Sequence, residues 1–77
     1  MKDIKVLGTG CANCKTTTAL IEQVARDKGV AVNIDKIQDM QAIIAYGVLA
    51  TPGVVVDGKV VHAGGVPQRD RIEAWLA

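Results

Sequence analysis

Apolar positions along this chain come in short groups whose spacing switches between strand-like and helix-like. Ile4-Lys5-Val6-Leu7 reads as a buried first strand. From about Ala12 to Lys28 the apolar positions Cys14, Ile21, Val24 and Ala25 recur at helical spacing. Thr17 and Thr18 fill the first turns of that face, and Glu22, Gln23, Arg26 and Lys28 fall mainly outside it. Gly29 is a good stop for such a helix. Val30, Val32 and Ile34 then alternate with Ala31, Asn33 and Asp35, the pattern of a half-buried strand. Asp39 suits the cap of a short second helix, with Met40, Ile43 and Ile44 expected as its inward stripe and Gly47 as its end. After Thr51-Pro52-Gly53, Val54-Val55-Val56 forms a third strand. Asp57-Gly58, a strong hairpin signal, joins it to Lys59-Val60-Val61-His62. Gly64-Gly65 breaks that strand, and Pro67 suits the first position of a last helix whose apolar face is Ile72, Trp75 and Leu76.

The order is therefore β-α-β-α-β-β-α, an α/β arrangement. The last two strands are expected to pair antiparallel through their tight turn. The earlier ones, joined by helical crossovers, are expected to run parallel. A four-stranded mixed sheet with helices on both faces accounts for every apolar stripe. Seventy-seven residues suit a single domain spanning 1–77, near the small end of what folds alone, with about 60–65% of the unfolded surface buried.

Composition narrows the functional classes. The net charge is +1 with the signs mixed, and the only aromatic residues of the Phe/Tyr/Trp class are Tyr46 and Trp75. Without a basic run or interleaved aromatics, no nucleic-acid partner is expected. The longest weakly polar run, Ala42 to Ala50, is far too short to span a bilayer, so no membrane partner is expected either. Met1-Lys2-Asp3-Ile4-Lys5 carries no apolar leader pattern, and a cytoplasmic location and a monomer are the expectation.

The chemistry concentrates in Gly8-Thr9-Gly10-Cys11-Ala12-Asn13-Cys14-Lys15, which holds both cysteines where the first strand gives way to the first helix. At a helix start the first N–H groups lack intrahelical partners and the macrodipole is positive. A thiolate at Cys11 is stabilised there, and its pKa is expected to fall from ~8.5 into the ~3.5–7.5 range of such sites. Cys14 lies one turn further in, on the face that carries Ile21 and Ala25. The pattern is an exposed attacking sulfur above a sheltered resolving one. As a structural staple so short a loop contributes only about 2 kcal/mol, and a reducing compartment would not preserve it. Gly8-Thr9-Gly10 also spells the start of a dinucleotide fingerprint, but Asn13 stands where Gly or Ala is required and the chain is too short for that fold.

Cys11-Ala12-Asn13-Cys14 together with Thr51-Pro52 resembles the thioredoxin fold. More narrowly, the chain resembles the small, glutaredoxin-sized redox-active disulfide proteins of archaea and bacteria. The likeness extends through Tyr46-Gly47-Val48, Thr51-Pro52-Gly53, Asp57-Gly58, Gly64-Gly65 and the closing Ile72-Glu73-Ala74-Trp75-Leu76. It implies a thiol–disulfide oxidoreductase engaged in electron transport, with Cys11 as nucleophile and Cys14 as resolving thiol. Pro52 would be a cis-proline facing them, and the backbone of Thr51 would pair with an extended substrate segment. The implied partners are disulfide-containing proteins and an external reductant; no bound cofactor is required. Independently of the likeness, a proline ahead of a buried strand cannot donate to the ladder, and X-Pro is the one bond with appreciable access to cis.

The chain departs from the family pattern in its Ala-Asn dipeptide, in lacking a Trp before Cys11, and in having no buried acid in the first strand beside the cysteines to act as proton acceptor.

Two other readings stand beside this one. Gly8-x-x-Cys11-x-x-Cys14 also resembles the heavy-metal-associated copper chaperones, and two thiolates suit Cu(I). Those proteins, however, follow the order β-α-β-β-α-β. Zinc would need a fourth ligand beyond Cys11, Cys14 and His62. The third reading is a redox-sensing interaction module without turnover. Around the site, Lys15 is either a cation tuning the thiolate or simply solvated, and Asn13 a cap or a helix-start preference. His62 reads as an edge residue, Tyr46 and Trp75 as packing, and Gly64-Gly65 as a strand end or a close backbone approach.

Overall fold

A computed structural model describes residues 1–77. The elements follow in the order β1 (Lys2–Leu7), α1 (Ala12–Lys28), β2 (Val32–Ile37), α2 (Met40–Ala45), β3 (Gly53–Val56), β4 (Lys59–Ala63) and α3 (Arg69–Trp75). The four strands form one mixed sheet in the order β2-β1-β3-β4. β1 and β2 are parallel, with Ile4 opposite Ile34 and Val6 opposite Lys36. β3 runs antiparallel to both β1 and β4.

Strand alternation divides the core in two. Ile4 and Val6 of β1 and Val54 and Val56 of β3 pack with Ile21, Val24 and Ala25 of α1 and with Ile72 and Leu76 at the end of the chain. The intervening Leu7 and Val55 point to the opposite face and meet Ile43 of α2 and Val48. Helices thus cover both faces, as the apolar stripes require. Arg69 ties α3 to α1 through an exposed ion pair with Asp27 at 2.8 Å.

Several boundaries differ from the sequence reading, each for a local reason. Val30 is not in the second strand. Its N–H closes the end of α1 by donating to the Ala25 carbonyl at 2.9 Å, while Gly29 N–H donates to Arg26. That double closure is the Schellman arrangement, and it consumes the residue that strand alternation seemed to claim. Pro67 is buried but precedes α3. The amides of Arg71 and Ile72 donate to the Gln68 carbonyl, so the helix starts after Gln68 and the proline packs outside it.

The stripe expected on α2 is reduced to Ile43, because Met40 and Ile44 are 53% and 57% exposed. Fewer than two turns present one position squarely to the sheet, and Val48 beyond the helix fills the second place.

β2 ends and β3 begins beside the same residue, since Leu7 pairs with both Ile37 and Gly53, so β3 runs antiparallel to β1. The connection from Ile37 to Gly53, α2 included, stays at the end where β1 and β2 finish, crosses over the sheet there, and enters β3 from that same end. The hairpin that follows is the one the sequence indicates: Val56 pairs with Lys59, and Asp57 and Gly58 both have positive φ, 50° and 84°.

Burial ranks the apolar positions. Ile21→Ala should cost about 2–5 kcal/mol, whereas Ile44→Ala should cost no more than about 0.5 kcal/mol. Urea unfolding of the oxidised variants measures both; equal losses would contradict this division of the core.

Candidate functional site

β1 ends at Leu7, and Gly8 continues the β1–β2 pairing by donating its N–H to the Ile37 carbonyl at 2.9 Å. The chain then turns through Thr9 and Gly10, the latter at φ 80°, and delivers Cys11 to the head of α1. Cys11 is the N-cap residue. Its Sγ accepts a hydrogen bond from the Cys14 N–H at 3.2 Å, and its carbonyl accepts the Lys15 N–H at 3.1 Å. The capping role weighed for Asn13 thus belongs to Cys11 itself. Cys11 is exposed, while Cys14, one turn below, is 6% exposed. The two are joined as a disulfide, with Cα atoms 5.1 Å apart.

The helix is unusually rich in threonine beneath this pair. Thr16, Thr17 and Thr18 each donate their hydroxyl to the carbonyl four residues earlier, on Ala12, Asn13 and Cys14. The fully buried Thr17 and nearly buried Thr18 thereby fill core space with no polar atom unpaired.

The second half of the site comes from the crossing before β3. The Thr51–Pro52 bond is cis. Pro52 is fully buried and Thr51 exposed. Gly8 is the point of contact between the halves. A Cβ placed on it would collide with Cys14 Sγ and lie 3.7 Å from Thr51 Cβ. The absence of a side chain there lets the Thr51 loop, the strand end and the sheltered sulfur share one space. Pro52 in turn accepts the Gly64 N–H at 2.9 Å, and a Cβ on Gly64 would stand 3.1 Å from Ala50 Cβ. Gly64 is thus a close backbone approach at the site as well as a strand end.

Sequence reasoning missed two groups here. Leu49, 91% exposed, and Val66, also exposed, lie in the two loops that Gly64 and Pro52 join, and they give those loops an apolar surface. Their isolation outside any periodic stripe was the available signal. Below Cys14 lies a cavity of about 70 Å³ lined by Val6, Gly8, Gly10, Cys14, Lys15, Lys36 and Gln38. Lys36 could have been found from strand parity, since it stands opposite the buried Val6.

His62 is engaged elsewhere: its Nε2 lies 2.9 Å from the Gly65 carbonyl, and its ring is tilted against Trp75 at 6.1 Å. Tyr46 packs beside Leu7, Ile43, Val48 and Val55. No three His, Cys, Asp or Glu side chains converge as a metal site, and the element order is not that of the copper chaperones.

The sequence profile of the thioredoxin domain family matches residues 2–77. A thioredoxin of Methanothermobacter thermautotrophicus is 32% identical over 77 residues, covering the whole of both chains. A thioredoxin of Methanocaldococcus jannaschii is 32% identical over 73 residues, covering 95% of this chain and 84% of the relative. Among solved structures, the oxidised form of mitochondrial thioredoxin 3 from Saccharomyces cerevisiae superposes with a TM-score of 0.67. That match has 18% identity and covers 97% of this chain and 76% of the other, a likeness of fold.

The contact at Gly8 gives a direct test. Gly8→Ala should destabilise the oxidised protein by about 1–3 kcal/mol through overpacking against Cys14. Thr9→Ala, at an exposed neighbour, should stay within about 0.5 kcal/mol. Chemical unfolding of both variants checks this; a Gly8→Ala protein as stable as the parent would remove the close approach from the account.

Proposed function

The chain belongs to the thioredoxin domain family, and from that premise we propose that Cys11 is its attacking sulfur and Cys14 its resolving sulfur. It is a thiol–disulfide oxidoreductase working through a Cys-x-x-Cys couple. The observation that carries the assignment of roles is the hydrogen bond from the Cys14 N–H to Cys11 Sγ at an exposed helix head, with the Cys14 side chain buried behind it. A sulfur in that position gains as an anion from the N–H and from the helix dipole. The sheltered sulfur is largely screened from an incoming client and waits within reach.

The cycle starts when an external reductant opens the disulfide. Cys11 thiolate then attacks one sulfur of a client disulfide in line, forming a mixed disulfide and releasing the client's other sulfur as a thiolate. Cys14, deprotonated, attacks Cys11 Sγ. The Cys11–Cys14 bond re-forms, and the second client sulfur leaves as a thiolate. Two electrons pass from the dithiol to the client, and water supplies the protons that finish its thiols.

Thr51 and Pro52 are the proposed docking place for the client. Thr51 is exposed, stands beside Gly8 and Cys14, and its backbone groups take no part in the turn and loop hydrogen bonds around it. An extended segment of a disulfide-bearing protein laid along the loop would meet free backbone groups at Thr51 and apolar surface at Leu49 and Val66. The chain is proposed to act as a single-domain monomer in cytoplasmic electron transport. No helix is long and apolar enough to cross a membrane.

Substitution separates the two sulfurs. Cys11→Ser should abolish reduction of an insulin disulfide by a supplied reductant. Cys14→Ser should stall after the first exchange and accumulate a client adduct on Cys11, visible as added mass without reducing agent. An adduct that instead builds up on Cys14 in the Cys11→Ser protein would reverse the assignment.

A further inference from the structure

Closing the cycle requires the buried Cys14 to become an anion, and burial opposes that. A carboxylate beside the sulfur could take the proton, but none lines the space around it. From β1 the neighbours are Val6 and Gly8, which carry no titratable group. The crossing before β3 contributes Thr51 and Pro52, likewise uncharged. Gln38 is neutral, and the adjacent Asp39 is turned to α2, where its Oδ1 accepts the Gln41 N–H at 3.1 Å. On α1, Thr18 spends its hydroxyl on the Cys14 carbonyl. The charged groups on the cavity beneath Cys14 are Lys15 and Lys36, both cations.

We propose that Lys36 stabilises the Cys14 thiolate for the resolving step, across the cavity between the end of β2 and the head of α1. Lys36 is favoured over Lys15 by its placement. It pairs in register with Val6, whose side chain is buried on the α1 face, so the sheet fixes Lys36 toward the same face. Its long stem can line the cavity while the ammonium stays at the solvent edge. The cavity admits water, so the thiol proton leaves to water and the anion left behind faces a cation. Lys36 acts through Cys14 and is a positioning residue in the electrostatic sense. This inference rests on Cys14 being the resolving sulfur.

The test uses the full chain, reduced, mixed with one equivalent of the uncharged disulfide 2,2′-dithiodipyridine. The first thione released reports attack by Cys11, and the second reports closure by Cys14. Lys36→Met should raise the pH midpoint of the second phase by about half to one unit, slowing closure about three- to tenfold below the midpoint. Lys36→Glu should slow it further, Lys36→Arg should restore the parent profile, and the first phase should keep its parent profile throughout. An unchanged second phase in both the Met and Glu variants would overturn the role of Lys36. A parent protein that releases no second thione would instead refute Cys14 as the resolving sulfur, which keeps the two failures distinct.

Discussion

The hydrogen bond from the Cys14 amide to Cys11 Sγ organises the chemistry of this protein. It requires a helix that begins at the cysteine, a strand that ends just before it, and a turn between them that exposes one sulfur and buries the next. Each requirement is met by named residues. Gly8 completes the β1–β2 pairing, Gly10 makes the turn, and Cys11 takes the capping place that Ser, Thr, Asp or Asn usually fills. With Cys11 as the proposed attacking sulfur, the reactive group is its own helix cap, and reactivity is tied to the fold. The amide that satisfies the helix end is the amide that favours a charged sulfur.

The second constraint is that the chain leaves β2 and enters β3 at the same end of the sheet, where Leu7 pairs with both Ile37 and Gly53. That reversal brings Thr51–Pro52 against Gly8 and the sheltered sulfur. The β3–β4 hairpin then returns the chain to the same end, where Gly64 meets Ala50 and Pro52. Three separated segments, residues 8–14, 49–52 and 64–66, thus converge on one edge. The buried apolar side chains lie between the sheet and the helices in two clusters, and Leu49 and Val66 are left exposed where these segments meet.

Much of this was legible in the residues. Helical spacing with Gly29 behind it located α1 to both ends, Asp57-Gly58 located the hairpin, and Asp39 located the cap of α2. The cysteine spacing at a strand–helix junction pointed to the chemistry. What escaped the reading depended on information that no local window carries. Val30 looks like a strand residue, yet its amide is claimed by Ala25 five positions earlier. Met40 and Ile44 have the right spacing to face inward, but the sheet has room for Ile43 alone, beside Val48. Lys36 reads as an ordinary charge on an edge strand until its register with Val6 sets it beside Cys14.

On the proposed assignment, the helix head makes Cys11 anionic near neutral pH while Cys14 stays protected. Alkylation of the reduced chain by iodoacetamide across a pH series, with each modified cysteine identified by mass, reads both sulfurs at once. Cys11 is expected to be modified first, with a midpoint clearly below the free-thiol value of ~8.5. A midpoint at or above that value, or preferential modification of Cys14, would contradict it.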